Sequence, residues 1–266
     1  MPKNRKNTVG YGNQGIPALV WTITVCALAV SSCYRQAAPD LAGLPQAPSE
    51  VLSDGAVASQ QNRRYDLVDS HLLVKVYRAG RLAKLGHNHV IEAPVLGNFT
   101  LAEDRVSAEL FIRPADLIVD RPQTRALHGE DFAKPVKADD VEGTRGNLLS
   151  EKVLNPLAHP FIRARIDTSA VDLETTPVTF ELAGQSTTRE VKITTLSDDA
   201  CNPRFQGTVT LRHEDFGLTP FSILGGAVSV QDAFDVSFEI AGLRTDKGDE
   251  SCYRSTPVSS RSQRFP

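Results

Sequence analysis

From Tyr65 to Leu243 the chain alternates apolar and polar residues in short runs. Phe234-Asp-Val-Ser-Phe-Glu-Ile240 sets every apolar side chain on one face of an extended strand. Such a strand needs a partner for its apolar face, and a sheet that closes on itself supplies one while leaving no exposed edge. The pattern therefore predicts an all-β fold, an eight-stranded antiparallel barrel with short helices between strands. Its strand candidates are residues 72–78, 95–101, 106–113, 161–167, 178–182, 191–196, 207–213 and 233–241. Their alternating apolar sets are expected to face inward. Val74, Val76, Leu110, Ile112, Val209, Leu211, Phe234, Val236 and Phe238 are thus the candidates to touch anything held inside. A small barrel is also readily filled by its own side chains, so the alternation speaks for the fold before it speaks for a cavity. Between Pro122 and Pro160 the period changes, and residues 123–132 and 141–154 suit short helices lying across the barrel's mouth or flank.

The first 33 residues predict where the barrel works. Lys3, Arg5 and Lys6 open the chain, no further charge follows until Arg35, and residues 16–30 are apolar or small. This is the pattern of an export signal. As a helix the apolar stretch would reach roughly 22 Å, short of the roughly 30 Å hydrocarbon core of a bilayer. Val30-Ser-Ser-Cys33 resembles the lipobox of bacterial lipoproteins, which makes Cys33 the candidate for lipidation. Tyr34 stands where many such proteins carry the aspartate that retains them at the inner membrane, which favours the outer membrane. Gly10-Tyr-Gly12-Asn-Gln-Gly15 has dinucleotide-binding spacing, but no strand precedes it and no long helix follows, so it is set aside. Residues 34–64, rich in Ala, Gln, Ser and Pro, suit a disordered tether, and 244–266 a disordered tail. The barrel domain is expected at 65–243.

A net charge of -3, with Lys and Arg scattered, supplies no basic field for nucleic acid. Of four cysteines, Cys26 lies in the signal and Cys33 is the lipidation candidate. Cys201 and Cys252 remain, either paired in an oxidising envelope or as two free thiols.

Several short motifs in order carry a family resemblance: Tyr65-Asp-Leu-Val-Asp69, Gly97-Asn-Phe99, His159-Pro-Phe-Ile162, Leu182-Ala-Gly-Gln-Ser-Thr-Thr-Arg189, Glu214-Asp-Phe-Gly217 and Gly225-Gly-Ala-Val-Ser-Val230. Together they resemble the YceI-like family of bacterial envelope proteins across nearly the whole domain. The resemblance implies a lipocalin-like barrel whose apolar tunnel holds polyisoprenoid lipids, such as quinones with their tails, or other amphiphiles. It implies neither enzyme activity nor a cofactor beyond such a bound lipid. The chain departs from the family's commonest form at Gly86-His-Asn-His89 and in the long segment 136–155.

His87 and His89 project to one side of an extended backbone. They suit a hydrogen-bonded turn, contact with a lipid headgroup, or two ligands of a metal that needs a third from His71, His128 or His213. No Gly-x-Ser-x-Gly, His-Glu-x-x-His or Cys-x-x-Cys motif is present, and Glu130, Asp131, Asp139 and Asp140 suit a solvated face. The expected function is that of a membrane-anchored, periplasm-facing envelope lipoprotein. Its barrel would bind a polyisoprenoid or other long apolar lipid for storage, transport or shielding. The alternatives are a metal-binding or redox protein using His87 and His89, and a packed barrel acting as an interaction module.

Overall fold

The computed structural model describes residues 37–48, 63–169, 175–245 and Cys252. Among them are eleven strands: β1 (Arg63–Ala79), β2 (His89–Pro94), β3 (Leu96–Leu101), β4 (Val106–Ile112), β5 (Ile118–Val119), β6 (Ile162–Thr168), β7 (Thr176–Leu182), β8 (Gln185–Ser197), β9 (Arg204–Arg212), β10 (Ser222–Ile223) and β11 (Val228–Arg244). Eight of these form a ring in the order β1-β3-β4-β6-β7-β8-β9-β11, closed by β11 on β1, with every pairing antiparallel. The expected barrel is the observed one. Its proximal end holds Arg63 and Arg244, and its distal end holds Ala79, Gln185, Arg212 and Val228.

Each predicted strand lies within or against an observed one, but alternation does not reveal β2. Val90-Ile-Glu-Ala93 is buried on both faces, and a strand covered on both sides has no reason to alternate. β2 pairs with β1 from His71↔Pro94 to Val76↔His89, while β3 takes over from Arg63↔Leu101 to Asp66↔Asn98. The two-residue hairpin between β7 and β8 uses Ala183 at φ 49 and Gly184 at φ 77, the paired left-handed conformation that matches strand twist. The His159 ring packs over this turn, since a Cβ on Gly184 would stand 2.7 Å from its Cε1.

The long connection from β4 to β6 is part of the wall. β4 follows β3 only as far as Leu96↔Phe111, and beyond that point β2 pairs with β5 through Ile91↔Val119. The connection contains α1 (Pro122–Arg125), α2 (Glu130–Ala133) and α3 (Ala138–Leu148). It delivers Leu117, Val119, Leu149 and Leu154 into the core cluster that holds Ile91, Ala93 and Phe99. α2 seats on the outer face of β1. Its buried Phe132 meets Tyr77 edge-on at 6.0 Å, and the Lys75 ammonium lies 5.9 Å from the Phe132 ring. Tyr77 donates to Asp235 at 2.8 Å, and burial together with that carboxylate pushes its hydroxyl up to about 12.

The connection is fastened to β2 by one buried carboxylate. Asp120 accepts Arg125 Nη1 at 2.6 Å and the Val90 N–H at 3.0 Å on Oδ1, and its Oδ2 lies 2.6 Å from His89 Nδ1. Arg125 also donates to the carbonyls of Asn88 at 2.6 Å and Lys134 at 3.0 Å, and Asn88 donates to the Asp131 carbonyl at 3.2 Å. Asp120 takes φ 54 to make this possible, a left-handed conformation that aspartate tolerates better than most residues.

Outside the ring, residues 37–48 of the segment expected as a tether have no helix or strand, yet Ala38 and Leu41 pack against the core cluster and Gln46 accepts from Arg113. Within the expected tail, buried Cys252 is joined to Cys201 by a disulfide with a Cα–Cα distance of 5.2 Å across 51 residues. The signal, Cys33 and the remainder of the tether and tail lie outside the described residues. Among those described, no helix is long and apolar enough to cross a membrane.

Two outcomes are expected. A Cβ on Gly207 would stand 2.4 Å from Phe238 Cζ and 2.8 Å from the Lys192 carbonyl, so Gly207→Val overpacks the wall. It should lower stability by about 1–3 kcal/mol in a denaturant melt. For Asp120, burial alone would raise the carboxyl, but the hydrogen bond and charge of His89, the Val90 N–H and Arg125 outweigh it and hold it below the usual carboxylate range. A carboxylate held low stabilises the fold above its ordinary range, and that contribution is lost as pH falls through the folded value. Asp120→Asn leaves Arg125, whose side chain is 5 % exposed, without its counter-charge. The expected cost is about 3–5 kcal/mol at neutral pH, narrowing in acid, and an unchanged midpoint at neutral pH would contradict it.

Candidate ligand cavity

Side chains of directly opposed residues share a face, so the register fixes what the barrel interior sees. Leu72↔Phe238, Val74↔Val236, Phe99↔Ala108, Leu110↔Ala164 and Ile112↔Ile162 all face inward, with Lys75, Glu109 and Arg165 outward between them. Glu109 accepts from Arg165 at 2.8 Å on that outer face, with Arg163 at 3.5 Å, so the charged members of the alternation pair outside the barrel.

The interior is not filled. A cavity of about 200 Å³ runs from Leu101 and Val106 near the proximal end to Ile112, Ile162 and Phe216 near the distal end. Its lining is aliphatic and aromatic apart from Arg163 and Glu181. Of the nine residues expected to face a ligand, Val74, Leu110, Ile112, Leu211, Phe234, Val236 and Phe238 line it. Val76 and Val209 pack beside it against the Leu211–Phe216–Phe234 cluster.

Aromatic rings close in from both ends. Proximally, Tyr65 stacks on Phe99 at 4.8 Å and Phe99 meets Phe205 edge-on at 5.8 Å. Tyr65 donates from its hydroxyl to the Ala200 carbonyl at 3.1 Å, satisfying the polar end of a ring that is 1 % exposed. Distally, a single helical turn at His213–Phe216 inserts buried Phe216 into the cavity wall. Asp215 fixes that turn by accepting the Arg212 N–H at 3.1 Å and pairing with Arg189 of β8. Gly217 at φ 65 ends it. Phe99, Phe180 and Phe216 fall within the expected strands or family-like motifs, and Phe205 falls in neither. Nothing in their spacing marks them as lining, because that depends on barrel tilt and on how the turn folds back.

Neither His87 nor His89 is among the lining residues. His89 belongs to the Asp120 network, and the two rings lie edge to face with centroids 6.4 Å apart. Burial, with Lys134 and His89 nearby, lowers the His87 pKa, which favours its neutral form. His128 is lowered by burial and by Lys75, and His213 Nδ1 lies 2.7 Å from the Asp232 carbonyl. Among the described residues no group of three or more His, Cys, Asp and Glu side chains gathers to hold a metal. Glu92, buried on β2, has its carboxyl raised by burial, offset in part by Arg121 at 3.3 Å. It faces away from the cavity, since its strand neighbours Ile91 and Ala93 pair with inward Val74 and Leu72.

No family model and no curated protein matches the chain. Solved structures similar to it include a polyisoprenoid binding domain from Saccharophagus degradans implicated in plant cell wall breakdown. That domain is 9% identical over 70% of this chain and 99% of its own, with a TM-score of 0.45. They also include BcnA of Burkholderia cenocepacia, 12% identical over 65% of this chain and 95% of its own, TM-score 0.42. A third is a Campylobacter jejuni YCEI protein, 14% identical over 53% of this chain and 73% of its own, TM-score 0.35.

Proposed function

We propose that the barrel binds one slender apolar chain, the tail of a polyisoprenoid or another long lipid, and stores, carries or shields it without catalysis. The observation that carries this reading is the continuous apolar lining of an unfilled cavity that extends along the barrel axis. A packed interaction module has no need to keep such a space, because empty apolar volume costs stability. At about 200 Å³ the cavity lies under the roughly 300–1,000 Å³ usual for small-molecule sites. The ligand portion inside is therefore narrow, and a bulky ring system or headgroup stays outside. The motif-by-motif resemblance to YceI-like proteins supports the same ligand class. Cys33, as the lipidation site of an envelope lipoprotein, would hold the barrel at the membrane that supplies such a ligand.

Binding is by burial. At about 25 cal/mol per Å², a chain that hides roughly 300 Å² gains on the order of 8 kcal/mol before the cost of ordering it. Protein expressed into the periplasm is expected to carry an extractable lipid of isoprenoid or fatty-acyl mass in native mass spectrometry. A barrel that is empty and takes up no added quinone or fatty acid would overturn the reading. Ala164 lines the cavity opposite Leu110, so Ala164→Phe projects a ring into the ligand's space. Displacing even two methylene contacts, at about 0.8 kcal/mol each, should weaken binding by roughly tenfold. Undiminished lipid content in a folded Ala164→Phe protein would place the ligand elsewhere.

A further inference from the structure

Two loops meet on the outside of the distal end. Residues 80–88 join β1 to β2, and residues 217–227 lead from the Phe216 turn to β11. The Leu82 N–H donates to the Ala227 carbonyl at 2.7 Å, and Gly80 packs so closely on Gly226 and Ala227 that a Cβ there would stand 2.5 Å from a carbonyl oxygen. The joined loops present Leu82, Leu85 and Leu224 to solvent, 45 %, 68 % and 60 % exposed, with Phe221 at 38 % beside them. Large aliphatic side chains gathered at loop tips cost solubility, and a cluster of them marks an interaction surface.

The charge around this cluster identifies its partner. Arg81 and Lys84 are exposed on the first loop, and neither loop contains an acidic residue. Of the acids at its border, Glu214 and Asp232 lie 2.6 Å and 2.8 Å from Arg212 and Asp215 pairs with Arg189, while on the side of His87 and Asn88 exposed Asp131 and Asp140 stand with exposed Lys134. Leucines flanked by exposed cations on a loop without acidic residues fit a surface that is apolar beneath and anionic above. We infer that the distal end of the barrel docks on an anionic lipid bilayer, with Leu82, Leu85 and Leu224 entering the interface and Arg81 and Lys84 meeting the headgroups. The surface lies outside the barrel, and none of Leu82, Leu85 and Leu224 lines the cavity. On the lipid-binding reading, it brings the end of the cavity lined by Phe216 to the membrane.

The test reads the depth of one loop. The full chain carrying Trp21→Phe, which removes its single native indole, receives one reporter, either Leu85→Trp or Leu196→Trp. Leu196 is an exposed leucine at the proximal end of β8. Each protein is mixed with vesicles containing brominated lipid. With phosphatidylglycerol present, the Leu85→Trp reporter should be blue-shifted and quenched, and the Leu196→Trp reporter should be neither. Each surface cation strengthens membrane partition about fivefold, so adding Arg81→Ala and Lys84→Ala should lower the loop's partition by about 25-fold and bring its quenching to the Leu196→Trp level. Equal quenching of the two reporters would overturn the proposal. So would equal quenching of Leu85→Trp on pure phosphatidylcholine, or quenching indifferent to the two alanines, the result expected if the leucines serve a protein partner or if a distant anchor alone holds the chain. Both reporter positions are exposed, so neither substitution disturbs the core, and the outcome does not depend on whether the barrel carries lipid.

Discussion

The pairing of the first strand with the last holds the structure in its closed form. β1 and β11 meet through Leu72↔Phe238, Val74↔Val236 and Val76↔Phe234, which places three apolar pairs on the inside and sends Lys75 and Asp235 out together. A slip of one residue would exchange the two faces of the joint, burying the charged pair and exposing the aromatic rings. The residues paired across this joint lie 150 or more apart in sequence, so closure is the most long-range pairing of the ring. The short hairpins from β6 to β9 have no such distance to cross. Irregularities in the register between Val68 and His71, and between Val76 and Arg78, bend β1 enough for it to serve β11 on one edge and both β2 and β3 on the other.

That double service creates the weakest part of the wall. Where β1 changes partner from β3 to β2, β2 does not pair with β4, and the gap is filled by a connection with little regular structure of its own. Its fully buried Leu149 and nearly buried Leu154 supply apolar contact, but apolar contact alone does not fix a segment's position. The Asp120 carboxylate provides direction by joining His89, Val90 and Arg125, three groups that the chain brings from two separate segments. The cost of burying an ion pair is met by satisfying each carboxylate oxygen, and an apolar substitute would forgo the positional specificity.

How much of this was legible depended on whether a residue's role is local. Strand alternation in Phe234 to Ile240 or Val106 to Ile112 is enforced by the pleat, so barrel class and the inward face were readable, and seven of nine proposed residues line the cavity. β2 escaped because burial on both sides erases the period in Val90-Ile-Glu-Ala93. The His-x-His pair was visible as a pattern, yet its meaning was not. What occupies His89 is Asp120, 31 residues onward and held at an unusual backbone angle, and no spacing rule connects the two. The closeness of Cys201 to Cys252 likewise depends on how loop and tail meet at the proximal end. In the segment before the barrel, composition and surroundings each speak to part of the answer. Its Pro and Ala content suits a tether, but Ala38 and Leu41 find apolar partners once a folded surface is present.

The inside and outside of the barrel divide the chemistry of recognition. With no polar side chain but Arg163 and Glu181 on its lining, and with their strand neighbours Ile162, Ala164, Phe180 and Leu182 supplying the inward face, the interior has no group placed to hydrogen-bond a headgroup. On the lipid-binding reading, selection then rests on girth and length. A hydrophobic wall discriminates weakly against one methylene more or fewer, at about 1–3 kcal/mol, but strongly against a cross-section it must deform to admit. The aromatic rings set this limit from both ends, Phe99 and Phe205 proximally and Phe216 distally. Of these, Phe216 alone is carried by a single helical turn rather than by a strand. It is fastened by Asp215 through Arg189 and the Arg212 N–H, and its turn is tied to β11 by the Glu214 N–H, which donates to Asp232 Oδ1 at 3.0 Å, and by His213 Nδ1, 2.7 Å from the Asp232 carbonyl. The turn belongs to no strand, so a shift of Phe216 would break side-chain ties and leave the strand pairings of the wall in place, at the end of the barrel that carries the loops with Leu82, Leu85 and Leu224.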